Sequence, residues 1–439
     1  MAIPTGLAGG VGMFALTLVN IGRSFGYDEA VTYASFVNGG SLRRALFTQV
    51  VFNNHPTFSA TQAIAWRLGF VGETAQRLGP ALAASVTVGL VVWYATRRLG
   101  AVAGLSAGVV LALNPMFLEQ SRQLRGYALS ALAVVIAGLL LERSWSDPRR
   151  RWLVGQTVAM VVAVTTHAYA VVAILMLAVA TLALGRLRRG HVVAWAVGAA
   201  VAIALQAPLL DDARATSRAR GTMFYDDAPV LLARSFLGWE WPAVILGGTA
   251  VLAGAVAIAR RSDRHLAAVG GGFAVLAAVI ALLWLVLQPR DFYGRFFITV
   301  LPFLAVLTAR GVALLPRGFR EAAVVALAVA LVPGTTPILE QQPTMRDAGE
   351  VANRALAAGL EPCGRNAEPL LVYAPPIRLI SGQGDYGTCE VFVNVLGAGG
   401  ELRAAADARF GASRSLGGGI TVWADEAEID DLTAGLGNR

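Results

Sequence analysis

The sequence predicts a polytopic α-helical membrane protein of about eleven spans, followed by a small extracytoplasmic α/β domain, and three observations lead there. Of 439 residues, 56 % are hydrophobic and 15 % charged, with a mean hydropathy of +0.60. Soluble chains are typically about a quarter charged, so this one has too little polar surface to coat a water-soluble globule. Apolar runs close to the ~20 residues that cross a bilayer recur as far as residue 338. Charge is also divided along the chain: residues 1–339 hold 28 Arg and 14 acids, residues 340–439 hold 8 Arg and 14 acids, and Lys does not occur. The two parts therefore face different solvents. The pI of about 10.1 reflects arginines in short loops between spans, which membrane topology requires, and no nucleic-acid partner is expected.

Apolar runs bounded by charge place spans near 3–21, 80–96, 101–117, 127–142, 152–167, 169–185, 192–209, 241–259, 266–287, 296–314 and 321–338. The first lacks a basic leader and a cleavage site, and reads as a retained helix. No span carries an acid at its centre, so nothing resembles the carboxylate relay of a proton-driven pump. Alternate turns are dense in arginine: Arg97-Arg98, Arg149-Arg150-Arg151, Arg186-Leu187-Arg188-Arg189, Arg260-Arg261 and Arg317 to Arg320. The positive-inside rule puts these and the N-terminus in the cytoplasm. Segments 22–79, 118–126, 210–240 and 288–295 are then outside, and an odd number of spans puts residues 340–439 there too. The Lys-free, Ala-, Gly- and Arg-rich composition is that of a high-GC bacterium, hence a plasma (inner) membrane.

The tail has the pattern of a folded module, with a polar helix near 345–359 and strand-like runs at 370–373, 391–393 and 420–423. The two cysteines, Cys363 and Cys389, both lie in it. Outside the cell they suit a disulfide, and two buried thiols are the alternative.

Chemistry-bearing residues gather in the outward segments. Tyr27-Asp28-Glu29 opens a stretch with the look of interfacial helices in the 22–79 loop. Successive helical residues point about a quarter turn apart, so Asp28 and Glu29 cannot both address one atom; one acts and the other supports, or the pair simply caps a helix. Further along come His55-Pro56, Arg122, Arg125-Gly126-Tyr127, and Arg290 with Tyr293-Gly294-Arg295. A guanidinium fork matches phosphate oxygens, although arginines here also suit snorkelling to headgroups and tyrosines suit an interfacial belt. His167 and Tyr169 sit at a junction of two spans, as pocket lining or as a hairpin cap. The long, mixed-charge 210–240 loop suits either a lid or a solvated connector. There is no phosphate-binding Gly-rich loop of P-loop pattern and no zinc spacing. No cofactor and no metal are expected, because hard cations need several oxygen ligands and beyond Asp28-Glu29 no third carboxylate is clearly placed to join them.

In order and spacing these motifs resemble the GT-C glycosyltransferases, in particular the protein O-mannosyltransferase and aminoarabinose-transferase branch. Asp28-Glu29 follows the first span; His55-Pro56 resembles the family's His-Pro-Pro or Lys-Pro-Pro element, with Thr57 in place of the second Pro. Arg125-Gly126-Tyr127-Ala128-Leu129 opens the fourth span, and Arg295-Phe296 precedes a span containing Pro302. The resemblance covers residues 1–338 and leaves the tail unmatched. It implies a polyprenyl-phosphate-linked sugar as donor, an acceptor hydroxyl on a glycan, glycolipid or protein, and inversion at the anomeric carbon. Asp28 is then the general base, Glu29 orients the acceptor or holds an arginine, and His55, Arg122, Arg125, Arg290 and Arg295, with the hydroxyls of Tyr127 and Tyr293, meet the donor phosphate. Tyr27, His167 and Tyr169 are pocket candidates. Two other classes share the span pattern: a flippase of lipid-linked glycans, whose polar groups would continue through the membrane interior, and a non-catalytic assembly subunit, which would tolerate loss of Asp28.

Overall fold

The computed structural model describes residues 1–49, 54–147, 149–209, 228–260, 294–340, 345–365, 367–380, 386–395, 400–417 and 419–436. They divide into two compact units: Met1–Ile21, Leu46–Thr61 and Arg77–Glu340 form the first, and Gly22–Ala45, Gln62–Gln76 and Gln341–Arg439 the second. Much of the predicted first outer loop thus belongs to the same unit as the tail.

In chain order the α-helices are α1 (Ala2–Leu18), α2 (Tyr27–Thr32), α3 (Leu42–Phe47), α4 (Pro56–Arg67), α5 (Gly72–Leu99), α6 (Ala101–Ala112), α7 (Pro115–Ser121), α8 (Tyr127–Ser146), α9 (Arg150–Thr166), α10 (Ala170–Ala183), α11 (Arg189–Gln206), α12 (Ala228–Leu237), α13 (Trp241–Arg260), α14 (Leu301–Ala313), α15 (Phe319–Glu340), α16 (Met345–Ala357), α17 (Gly400–Phe410) and α18 (Ile429–Thr433).

The first unit is helical and crosses the membrane several times. Five described helices are long and apolar enough to span, or up to seven if each of two bent pairs counts as one crossing. This is fewer than the eleven apolar runs of the sequence, for stated reasons. The runs at 101–117 and 241–259 belong to the bent pairs, α6 with α7 at 65° and the helix ending at Leu237 with α13 at 78°. Helices α1, α9 and α10 have 17, 17 and 14 residues. The run at 266–287 lies outside the described residues. The α6–α7 bend is written locally: Asn114 caps α7, its Oδ1 accepting the Phe117 N–H at 2.9 Å, and Pro115 occupies the first turn.

Small residues set the tightest helix crossings. A Cβ added to Gly311 or Gly254 would collide with the Ala250 or Leu307 carbonyl, so α13 and α14 meet backbone to backbone. Gly6 and Gly10 of α1 do the same against α5, where an added Cβ would stand 2.9 Å from the Gly89 carbonyl oxygen and 3.0 Å from that of Ser85.

The second unit carries a five-stranded sheet in the order β2-β1-β3-β5-β4, built from Pro362–Arg365 (β1), Arg378–Leu379 (β2), Val391–Asn394 (β3), Ala412–Gly417 (β4) and Ile420–Ala424 (β5). β1 runs parallel to β2 and β3; β5 runs antiparallel to β3 and β4. Phe392 pairs with Trp423 in register, and with Tyr386 and Phe410 these rings form the core. Cys363 and Cys389 are joined by a disulfide, with Cα atoms 5.7 Å apart. One expectation is corrected: the run 370–373 is not a strand, because Glu368–Val372 is a 3-10 turn. Pro369 at its start has no N–H to give a ladder and is pre-set for a helical turn.

Candidate active site

Within the membrane unit, residues distant in sequence meet where several helices begin or end. His55 immediately precedes α4, Tyr127 opens α8, His167 ends α9, Tyr169 starts α10, and Arg295, Phe296 and Phe297 lie in the 3-10 turn Gly294–Val300 that leads into α14. The His167 ring centroid is 5.5 Å from that of His55, 4.9 Å from Tyr127 and 5.9 Å from both Tyr169 and Phe296. Tyr169 stacks on Phe296 at 4.6 Å. Arg125 places its guanidinium 5.5 Å from the Tyr127 ring centre, and both Arg125 and Arg295 act electrostatically on His55.

His55 is buried and held by the end of α9. Its Nδ1–H donates to the Thr166 carbonyl at 2.7 Å, one of the acceptors that a helix C-terminus leaves unpaired. Burial first, and then chiefly the positive Arg125, drive the His55 pKa well below its ordinary value. His55 is therefore a neutral imidazole, with Nδ1 protonated and Nε2 carrying its lone pair. The close approach depends on Gly126, where an added Cβ would lie 2.7 Å from Thr166 Cγ2 and 3.1 Å from His55 Cβ. Beside it, Thr57 Oγ1 and Thr165 Oγ1 share a hydrogen bond at 2.6 Å, so the residue that replaces the family's second Pro ties α4 to α9.

Other predicted residues have other places. Arg122 is buried, but its guanidinium donates to the carbonyls of Val19, Ile338 and Leu339 at the C-terminal ends of α1 and α15. A cation there satisfies orphan carbonyls and complements two helix dipoles. In this arrangement Arg122 clamps the two helix ends together. Tyr27, Asp28 and Glu29 lie in the second unit, in α2. Glu29 is buried and its Oε2 accepts the Gly26 N–H at 2.9 Å, which makes it the capping member of the pair. Asp28 is half-buried and its carbonyl accepts the Thr32 hydroxyl at 2.8 Å. Arg290, Tyr293 and residues 210–227 of the lid candidate lie outside the described residues. Among the described residues no cluster of three or more His, Cys, Asp or Glu has the geometry to hold a metal ion.

Sequence reading missed Thr165 and Thr166; the only signal was two hydroxyl residues directly before His167. It also missed a small apolar cleft further along the same helices, lined among others by Tyr94, Leu139 and Glu142, by Met176 and Leu177 of α10 and by Phe303 of α14.

Residues 53–210 match the family described as dolichyl-phosphate-mannose-protein mannosyltransferase. No curated protein sequence matches the chain. Among solved structures it is similar to ArnT from Cupriavidus metallidurans bound to undecaprenyl phosphate, with TM-score 0.63 and 14% identity over 95% of this chain and 97% of that one. It is also similar to the Archaeoglobus fulgidus oligosaccharyltransferase in its apo form, with TM-score 0.59 and 12% identity over 92% and 71%. The mycobacterial arabinofuranosyltransferase AftD matches with TM-score 0.56 and 15% identity over 89% and 36%. Residues 53–210, the part that matches this family, carry His55, Arg125, Tyr127, His167 and Tyr169, and over nearly its whole length the chain shares the fold of these solved structures.

Proposed function

We propose that the protein transfers a sugar from a polyprenyl-phosphate donor to an acceptor hydroxyl at the outer face of the membrane, with inversion. The observation that carries this is the cluster of Arg125 and Arg295 with two buried imidazoles and two tyrosines in the membrane unit. Breaking the anomeric bond leaves the pair of electrons, and growing negative charge, on the lipid phosphate. Guanidinium groups already in place stabilise that charge without reorganising. Tyr127 offers a hydroxyl donor, and the stacked Tyr169 and Phe296 offer a flat apolar wall for a sugar ring. The apolar cleft suits an isoprenoid tail. Undecaprenyl phosphate bound to the similar ArnT supports a donor of this chemistry.

On the acceptor side Asp28 serves as general base, since an alcohol is a poor nucleophile until its proton is being removed, and such assistance contributes about 10²–10⁴ in rate. Glu29, engaged in capping, shapes the turn that presents Asp28. The acceptor is a glycan, glycolipid or protein hydroxyl, and the N-terminus faces the cytoplasm. The test is transfer from labelled polyprenyl-phosphate pentoses and hexoses by the purified protein in nanodiscs. Asp28→Asn is expected to lower kcat at least a hundredfold, and Arg125→Gln and Arg295→Gln to weaken undecaprenyl-phosphate binding. Undiminished transfer by the Asp28 variant would remove the base from the mechanism, and unaltered lipid binding by both arginine variants would remove the phosphate site.

A further inference from the structure

We infer that Tyr373 of the C-terminal domain is a positioning residue for the reaction: with Glu73 and Arg346 it forms a clasp that fixes the backbone entering the Asp28 helix. The inference rests on Asp28 as the base.

The contacts all lie within the second unit. The Tyr373 hydroxyl donates to Glu73 Oε1 at 2.6 Å and accepts the Phe25 N–H at 2.8 Å. Arg346, at the start of α16, donates to the other Glu73 carboxylate oxygen and, at 3.1 Å, to the Gly22 carbonyl. The clasp therefore grips residues 22 and 25, and Asp28 follows three residues later. A phenol has one proton to give and readily accepts one bond, and both are used here. Helix α2 has six residues and runs on into the π-helical turn Tyr33–Val37, together still shorter than a helix that is stable alone in water, so its direction must come from what holds it.

Tyr373 is itself held firmly. Its carbonyl accepts Asn353 Nδ2 at 3.0 Å, and Gly349 of α16 lies flat against it, an added Cβ there colliding with Tyr373 Cβ. The 3-10 turn that ends at Val372 packs directly on α2. Burial, and then the hydrogen bond to Glu73, push the Tyr373 pKa above its ordinary value, so the phenol keeps the proton that the clasp requires. The tail domain is thus an anchor for the catalytic segment as well as an outward module.

The test uses the full chain in nanodiscs with the polyprenyl-phosphate sugar that the wild type accepts. Tyr373→Phe removes the Phe25 and Glu73 bonds; Glu73→Ala removes the carboxylate from outside the tail domain and leaves the sheet untouched. A misplacement of about 1 Å at a reacting group costs up to ~10²-fold in rate. Both variants are expected to lower kcat about ten- to a hundredfold with KM for the lipid donor unchanged. Both should also speed amide hydrogen exchange in residues 22–33, while β3 and β5 keep their protection. Unchanged exchange in 22–33, or wild-type kcat in both variants while Asp28→Asn is inactive, would overturn the clasp alone. Undiminished transfer by Asp28→Asn would remove the base and the positioning role together, with hydrogen exchange still reporting whether the clasp holds the segment.

Discussion

Gly126→Ala is the smallest change that probes the cluster, because it adds one methyl and removes nothing. The Gly126 backbone, at φ −73° and ψ −3°, is one that alanine adopts freely, so any effect is packing. The new Cβ would stand 2.7 Å from Thr166 Cγ2, and 3.1 and 3.2 Å from His55 Cβ and Cγ. Carbon atoms prefer about 3.5–4.0 Å, so one neighbour must withdraw by roughly 1 Å. The two groups pushed are those joined by the 2.7 Å bond from His55 Nδ1 to the Thr166 carbonyl. A retreat of that size along the bond takes it to about 3.7 Å, outside hydrogen-bonding range. Overpacking of this kind costs about 1–3 kcal/mol in stability, and the displaced imidazole about 10- to 100-fold in rate. The assay is kcat/KM for transfer from a polyprenyl-phosphate sugar, run beside thermal unfolding of the same sample. A variant that loses stability but keeps the wild-type kcat/KM would show that the His55–Thr166 geometry plays no part in the chemistry.

Three further outcomes are expected. Arg122→Met should lower unfolding stability by about 3 kcal/mol, the scale of charge-assisted bonds lost to helix-end carbonyls, and leave the thermal shift given by undecaprenyl phosphate intact; loss of that shift in a folded variant would return Arg122 to the phosphate site. Stability should fall as the pH drops below about 6.5, because unfolded His55 takes up a proton that the folded state refuses, by about 1.4 kcal/mol per pH unit until the lowered folded pKa is reached. Full stability is present above that pH, and His55→Gln should flatten the slope in unfolding curves. Replacing both Cys363 and Cys389 by Ala removes a crosslink spanning 26 residues, which the chain-entropy relation values at about 3.5 kcal/mol. Earlier melting of the tail, read by loss of exchange protection in β3 and β5, is the check.

Composition and hydropathy determined the membrane class and a helix at ten of the eleven apolar runs, since both depend on local solvent preference. Strands β3 and β5 were legible for the same reason, being short and rich in Val, Phe, Ile and Trp. β1, with sequence Pro-Cys-Gly-Arg, and β4, with Ser and Arg, carry no such pattern; they are strands only because neighbours in the sheet use their backbone groups. The motifs around His55, Arg125-Gly126-Tyr127 and Arg295-Phe296 could also be picked out in sequence, because arginine, histidine and tyrosine beside apolar runs are costly to place.

Their partners could not. That His55 is neutral follows from the Thr166 carbonyl 111 positions away and from burial, and neither is a property of residue 55. That Arg122 clamps the ends of α1 and α15 while Arg125, three residues on, joins the cluster depends on which way the turn after α7 runs. The bonds from Tyr373 to Glu73 and Phe25 join positions 300 and 348 residues apart. A side chain's charge state and task are set by the groups packed around it, and long-range packing brings those groups from distant parts of the chain, where no local pattern records them.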